Sequence, residues 1–507
     1  MKQKIFPLEK MQKILNKERT KGKKIVLCHG VFDLLHIGHI RHFKEAKNFG
    51  DILVVTLTPD QFVNKGPNRP FFNEQLRLEA IASLDAVDFV SLNISSTAII
   101  PIRKIKPNIY CKGPDYKDHY NDISGQIKKE IDTIKQVGGK IIYTDDITFS
   151  SSKLLNKYSA IHSDMQKITI SQIKKKYQFS QIRKLIDSFK KIKVLVIGET
   201  IIDQYVFCEA LGKSGKEPVL VLRDMKTEEY LGGAAALSRH LSPFCDKISL
   251  FSMLGEKAEY LDQIKKKLPS NVNFKYIRKK NSPTILKRRF LDYVNNNKVL
   301  GVYTINDDIL NSKQDKLFHD TLKKILPKYD LVIVSDYGHG LISSRTANLI
   351  CKDSKYLALN AQINAANVGY HGMRNYKNVD CVIVNEREIQ HEMRDRNNKT
   401  EFLMKKLSLQ QKIKNMIVTR GKEGALIYNK KDNKFNSCAA FAETAVDKIG
   451  AGDAMLSIAS LCLKNKFSDE LTLLLGSLAA AQSTETIGNK NSVNKIKILK
   501  TLENLIK

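Results

Sequence analysis

The chain of 507 residues is long enough for two to four domains, and 42% hydrophobic with 27% charged residues excludes a disordered polymer. Its formal net charge of +31 comes mostly from Lys spread among Asn and Ile, with no helix-turn-helix, zinc-finger or aromatic RNA-binding pattern, so no specific nucleic-acid partner is expected. No apolar run approaches the roughly 18–20 residues of a bilayer span, which argues against a membrane role, and the 8 cysteines, none in a CxxC pair, read as reduced thiols of a cytoplasmic protein.

The opening MKQKIFPLEKMQKILNK lacks the apolar stretch of a signal peptide. Short apolar runs predict strands at 25–28, 52–57, 89–92, 109–111 and 141–143. Helices are expected from His36 to near Gly50, from a cap at Asn73 to about Leu84, around 99–105, and at 123–137 before Gly138-Gly139. Strands alternating with amphipathic helices predict a parallel sheet covered on both faces, with ligands at the carboxyl ends of its strands. Residues 161–190 are polar and Lys-rich with weak helical periodicity and are expected as a linker between a domain at 1–160 and another at 191–507, with an ordinary surface helix of either domain as the alternative. In the second region strands are predicted at 194–197, 331–334, 382–384 and 416–419, with long helices after Gly452 and Asp469.

The segment Gly30-Val-Phe-Asp-Leu-Leu-His-Ile-Gly-His39 follows a predicted strand and opens a helix. Unpaired N–H groups at such a helix start attract phosphate. His36 and His39 lie one turn apart on one face, Gly38 lets a phosphate approach the backbone, and two imidazole donors there can stabilise a pentacovalent phosphorus as pyrophosphate leaves. A zinc site drawn from His29, His36, His39 and His42 is one competing reading, although no Cys or carboxylate nearby completes a ligand set at familiar spacing, and a purely structural role for the His36–His39 pair is another.

This segment resembles the HxGH signature of the cytidylyltransferase-like nucleotidyltransferases, over about residues 24–158. The resemblance implies a Rossmann-like α/β fold and nucleotide or phosphate contacts from Gly30, Phe32, Asp33 and Gly38. It adds Arg69 and Arg77 of the Arg69-Pro-Phe-Phe-Asn-Glu-Gln-Leu-Arg77 stretch, and Lys112 and Gly113 of Lys112-Gly-Pro-Asp-Tyr116. Ser150, Ser151 and Ser152, before Lys153, stand where the family carries hydroxyls at a helix start. The Lys112–Tyr116 element looks more like members that transfer adenylyl groups to heptose phosphates, with CTP as the alternative donor.

Asp447-Lys-Ile-Gly-Ala-Gly-Asp453 precedes an apolar helix. Gly450 and Gly452 let backbone N–H groups converge on a phosphate, and Asp453 can take a hydroxyl proton during in-line transfer. A glycine-rich helix cap with a solvated Asp is the plainer reading. The segment resembles the DxxGAGD signature of ribokinase-like (PfkB-type) sugar kinases over about residues 193–506. The resemblance implies a ribokinase-like α/β fold. It makes Asp453 the catalytic base and sets Gly450, Ala451 and Gly452 against phosphate. Asp203, Gly232, Gly233 and Asp336 would meet the sugar. Asn385 and Glu388 of an NxxE element would organise Mg2+ indirectly, and Thr419, Gly421 and Gly424 would flank the nucleotide. Two positions depart: Ala236 stands where sugar-binding members usually carry Asn, and Asn360-Ala-Gln362 where heptose kinases carry Asp-Pro-Lys.

Together the halves resemble bifunctional heptose kinase/adenylyltransferases of lipopolysaccharide precursor synthesis, with the domain order reversed. That implies ATP, Mg2+ and a sugar phosphate as ligands, an ADP-sugar and pyrophosphate as products, and leaves homodimer formation open. A CDP-linked product and a non-catalytic sugar-phosphate sensor are the alternatives.

Overall fold

The apolar runs of the first 160 residues build one parallel sheet. In the computed structural model, which describes residues 3–63, 69–116, 125–145, 163–364, 367–442 and 445–506, these strands are β1 (Ile25–Gly30), β2 (Ile52–Leu57), β3 (Phe89–Leu92), β4 (Ile109–Lys112) and β5 (Lys140–Tyr143), ordered β3-β2-β1-β4-β5. All four pairings are parallel. Alternate residues of β1 explain why the run is apolar throughout. Val26 and Cys28 enter a core with Phe43 and Leu78, while Ile25 and Leu27 enter the opposite core with Met11 and Ile102. Each such buried side chain contributes roughly 1.5–3 kcal/mol.

The helices of this region fall where expected, at Ile37–Asn48, Glu74–Ala82, Ile99–Ile105 and Gln126–Gln136. Asn73 caps its helix by accepting from Leu76 N at 3.0 Å. An additional helix, Leu8–Thr20, buries Leu8, Met11 and Leu15.

The second region holds β6 (Lys193–Gly198), β7 (Thr200–Lys213), β8 (Leu220–Gly232), β9 (Lys247–Gly255), β10 (Val272–Lys279), β11 (Leu286–Asp292), β12 (Lys298–Thr304), β13 (Leu331–Asp336), β14 (Leu357–Ala361), β15 (Cys381–Asn385), β16 (Asn415–Thr419), β17 (Ala425–Asn429) and β18 (Lys434–Cys438). Nine of them form a sheet ordered β10-β9-β6-β13-β14-β15-β16-β17-β18, parallel up to β16 and antiparallel beyond. Four others make a separate sheet, β12-β11-β7-β8. The helices expected after Gly452 and Asp469 span Ala451–Lys464 and Asp469–Ser483, so each starts slightly earlier, capped by Gly450 and Ser468.

The chain resolves into two compact units, residues 1–163 with 496–507, and residues 164–495. Two boundaries differ from the sequence reading. The stretch expected as a linker is helical at Asp164–Lys176 and Phe179–Asp187, and it buries Ile170, Ile173, Ile182 and Ile186 as part of the second unit. Residues 496–507, assigned to the second domain by sequence, group with the first. Among the described residues no helix is long and apolar enough to cross a membrane.

Candidate active sites

In the first unit the strand order reverses between β1 and β4, and most of the anticipated residues gather at the carboxyl ends of those strands. His36 caps the helix Ile37–Asn48, its Nδ1 accepting from Gly38 N at 3.1 Å. The His39 ring stacks on that of His36 with centroids 3.9 Å apart. Phe32 turns the chain with φ of 47° and sets its ring edge-on to His39 at 5.4 Å. A Cβ at Gly30 would meet that ring at 2.9 Å, which is why the strand ends on glycine. Asp33 is buried and accepts from Arg69 at 3.0 Å, from Phe71 N at 2.6 Å and from Phe72 N at 3.2 Å. It therefore fixes Arg69 and the aromatic pair to the turn before His36.

Lys112 closes β4. Its Nζ pairs with Glu130 at 3.5 Å, donates to His29 O at 3.4 Å and sits 4.5 Å from the Tyr116 ring centre. Burial alone would lower its pKa, but Glu130, Tyr116 and Cys28 together outweigh burial and the pKa is raised, so Lys112 is a fixed buried cation. Gly113 follows with open space where a Cβ would stand.

Arg77 corrects an expectation. Its side chain is fully buried and donates to Phe72 O at 3.1 Å, Val31 O at 2.5 Å, Thr58 O at 3.0 Å and Asp60 at 2.5 Å. It clasps three loops together and presents no charge to a phosphate. Ser150, Ser151 and Ser152 lie outside the described residues. Of the four histidines weighed for zinc, His29 is buried on β1 with Nδ1 2.9 Å from Thr56 Oγ1, and burial, then Lys112, pushes its pKa down to about 4.

In the second unit a cavity of about 650 Å³ opens among β7, β11, β15 and the start of the helix Ala451–Lys464. Asp203, Gly233, Asn385, Glu388, Thr419, Gly421, Gly424, Gly450, Ala451, Gly452 and Asp453 all line it. Gly450 caps the helix at φ of 88°, and a Cβ there would stand 2.0 Å from Asn489 Oδ1. Gly452 has nothing within 4 Å of its would-be Cβ, so ligand can approach the backbone closely. Asp453 accepts from the Tyr337 hydroxyl at 3.0 Å. Burial lifts its pKa to about 7, with the Tyr337 bond and Lys287 opposing and Asp203 assisting the rise.

Asp203 is held by Arg289 at 2.5 Å, and Gly232 makes room for it, since a Cβ at Gly232 would stand 2.2 Å from its Oδ2. Asn385 and Glu388 form a reciprocal cap at 2.9 and 2.8 Å on the helix Glu386–Met393. Burial lifts the Glu388 pKa to about 7, and Asp453 adds to the rise.

Asp336 is absent from the cavity wall, contrary to its expected sugar contact: it accepts from Tyr376 at 2.6 Å and Gly338 N at 3.0 Å. Its neighbour Tyr337 reaches Asp453 instead. Buried Glu199 accepts from Tyr337 N at 3.0 Å and His339 N at 3.2 Å, and burial, then Asp336, raises its pKa to about 7. Ala236 is buried away from the cavity, whereas Asn360 lines it and donates to Ile383 O at 2.7 Å.

Sequence reading missed two cations, Lys287 and Arg289, which β11 turns into the cavity. Lys287 Nζ lies 5.6 Å from the Tyr303 ring centre and 5.5 Å from that of Tyr337. Two cations at i and i+2 in a strand share a face, so the signal was present once that strand was recognised.

Comparison with known proteins matches a family to each of the two regions. Residues 191–496 match the pfkB family carbohydrate kinases, and residues 27–161 match the cytidylyltransferase-like family. The "Bifunctional protein HldE" of Aliarcobacter butzleri is 39% identical over 139 residues, 27% of this chain and 29% of that protein. Its namesake in Geotalea uraniireducens is 41% identical over 115 residues, 22% and 24% respectively. These alignments fall on the N-terminal part, so the chain spans under a third of the length of the curated relatives it matches. The crystal structure of phosphofructokinase-2 from Escherichia coli in complex with potassium superposes with a TM-score of 0.50 at 13% identity, covering 62% of this chain and all of that one, and so shares the fold.

Proposed function

The chain belongs to the pfkB family of carbohydrate kinases, and from that premise we propose a bifunctional enzyme of nucleotide-activated sugar synthesis. The second unit transfers the γ-phosphoryl group of ATP to a sugar phosphate of the heptose 7-phosphate kind. The first unit joins a nucleotidyl group to a sugar 1-phosphate, giving an ADP-sugar and pyrophosphate.

The observation that carries the kinase reading is Asp453. A buried carboxylate with a pKa near 7 stands at the head of a helix whose first turn is open to phosphate, in a cavity that also holds Lys287 and Arg289. Such a group takes a hydroxyl proton at neutral pH while the helix N-terminus and the cations meet the transferring phosphate. Mg2+ suits the oxygen donors around Glu388 and Asn385 and would neutralise charge on the nucleotide phosphates when bound. For nucleotidyl transfer the support is the stacked His36–His39 pair at a helix start, backed by Lys112 and by Arg69 held on Asp33.

Product analysis by mass spectrometry tests the reading. The full chain is given ATP and CTP in competition, with a panel of sugar phosphates and heptose 1-phosphate. An ADP-linked sugar and a doubly phosphorylated sugar are expected. A CDP-linked product would replace the adenylyl assignment, and tight binding without turnover in the cavity would replace the kinase by a sensor.

A further inference from the structure

The sheet register of the first unit brings together three residues far apart in sequence. Cys28 on β1 and Cys111 on β4 are register partners, and both are fully buried. His42 lies on the helix Ile37–Asn48, which packs over the same face. One ligand atom from each of Cys28, His42 and Cys111 lies within 4.8 Å of the others, the sole grouping of this kind among the described residues. We propose that Cys28, Cys111 and His42 form a zinc site behind the His36–His39 pair.

The donor set fits that ion. Two thiolates and an imidazole are soft to borderline ligands, and with Zn2+ they sum to zero net charge, as a low-dielectric location requires. Tetrahedral zinc with Zn–S near 2.3 Å and Zn–N near 2.0 Å sets ligand atoms roughly 3.5–3.8 Å apart, so the three atoms need to draw in by about an ångström. His42 Nδ1 lies 3.0 Å from Thr144 Oγ1. That bond is the outer-shell contact that fixes a ligating imidazole and leaves Nε2 for the metal. His42 is only half-buried, so a fourth ligand can come from solvent. Binding is balanced by release of two protons, one from each thiol. Without metal, burial keeps the Cys28 thiol protonated, its pKa well above the ordinary value, and so inert.

The placement gives the ion a job. Cys111 adjoins Lys112, Cys28 precedes the Gly30 turn, and His42 follows His39 by one helical turn. Zinc would cross-link β1, β4 and the helix that carries the histidine pair. The inference does not depend on the nucleotidyl-transfer assignment, because its readouts are metal content and stability.

The test uses the full-length chain without an affinity tag, purified in reductant from zinc-supplemented culture. Elemental analysis should find one zinc per chain. Cobalt substitution should give a thiolate-to-cobalt charge-transfer band. Cys28→Ser, Cys111→Ser and His42→Phe should each weaken zinc at least tenfold in competition with a chelating dye. Removing zinc with a chelator should lower Tm, and zinc alone should restore it. A metal-free wild-type protein that also lacks the cobalt band overturns the proposal, as does a Cys28→Ser/Cys111→Ser double variant that keeps its full zinc. Where the serine variants fail to fold, the wild-type metal content and cobalt spectrum decide.

Discussion

The Tyr337 hydroxyl donates to Asp453 Oδ1 at 3.0 Å, joining the end of β13 to the head of the helix that follows the glycine turn. The bond favours the ionised carboxylate, so it offsets part of the rise that burial causes in the Asp453 pKa.

Replacing Asp453 with Asn should lower phosphoryl-transfer kcat by roughly 10²–10⁴-fold while ATP binding survives. Because burial has lifted Asp453 to about 7, wild-type turnover should fall as pH drops below neutrality and more of the base is protonated. Tyr337→Phe removes a contact that lowers this pKa, so its acidic limb should move to higher pH. A pH–rate profile of both proteins checks the sign, and an unmoved limb counts against Asp453 as the base.

Lys287→Met should raise KM for a phosphorylated sugar tenfold or more, equivalent to about 1.4 kcal/mol. Lys287 also opposes the rise in the Asp453 pKa, so the acidic limb should shift upward in the same direction as in Tyr337→Phe. Steady-state kinetics with phosphorylated and unphosphorylated sugars separates the two effects.

His36→Ala and His39→Ala should each cost roughly 10²–10³-fold in nucleotidyl transfer with the kinase untouched. His36 also caps its helix, so His36→Ala should lose about 1 kcal/mol of stability as well. His36→Asn restores a capping oxygen without an imidazole. Thermal melts should recover in that variant and transfer should not.

Arg77→Met should destabilise the first unit by roughly 3 kcal/mol, because it strands the buried carbonyl of Thr58 and the part-buried carbonyls of Val31 and Phe72. Denaturant melts read the loss. A variant of unchanged stability that binds nucleoside triphosphate poorly would return Arg77 to the phosphates.

What the sequence revealed and what it hid follow from how each element is buried. Strands β1, β2 and β4 are covered on both faces, so their apolar runs stand out, and the glycine-rich turns at Gly30 and Gly450 mark where ligand meets backbone. The sheet of β7, β8, β11 and β12 was not foreseen. Every residue of β12 is exposed, and the last five residues of β7 and most of β8 are too, so no apolar alternation announces them. With that sheet unseen, Lys287 and Arg289 went unread. The helix Leu8–Thr20 did leave a trace, since Leu8, Met11 and Leu15 follow helical spacing. Asp336 and Tyr337 are adjacent in sequence, and only the direction in which β13 ends decides which of them reaches the cavity. Cys28 and Cys111 meet solely through strand register, which no local pattern encodes.

The grouping of residues 496–507 with residues 1–163 makes the kinase an insertion within the nucleotidyltransferase unit. During synthesis the helix Lys495–Ile506 emerges only after the whole second unit. At roughly 5–20 residues per second, the ribosome needs on the order of 20–60 s to deliver the intervening segment. The inserted unit has all of its own chain available before that helix is complete. Translation that stalls near residue 495 would release a complete kinase beside an unfinished partner.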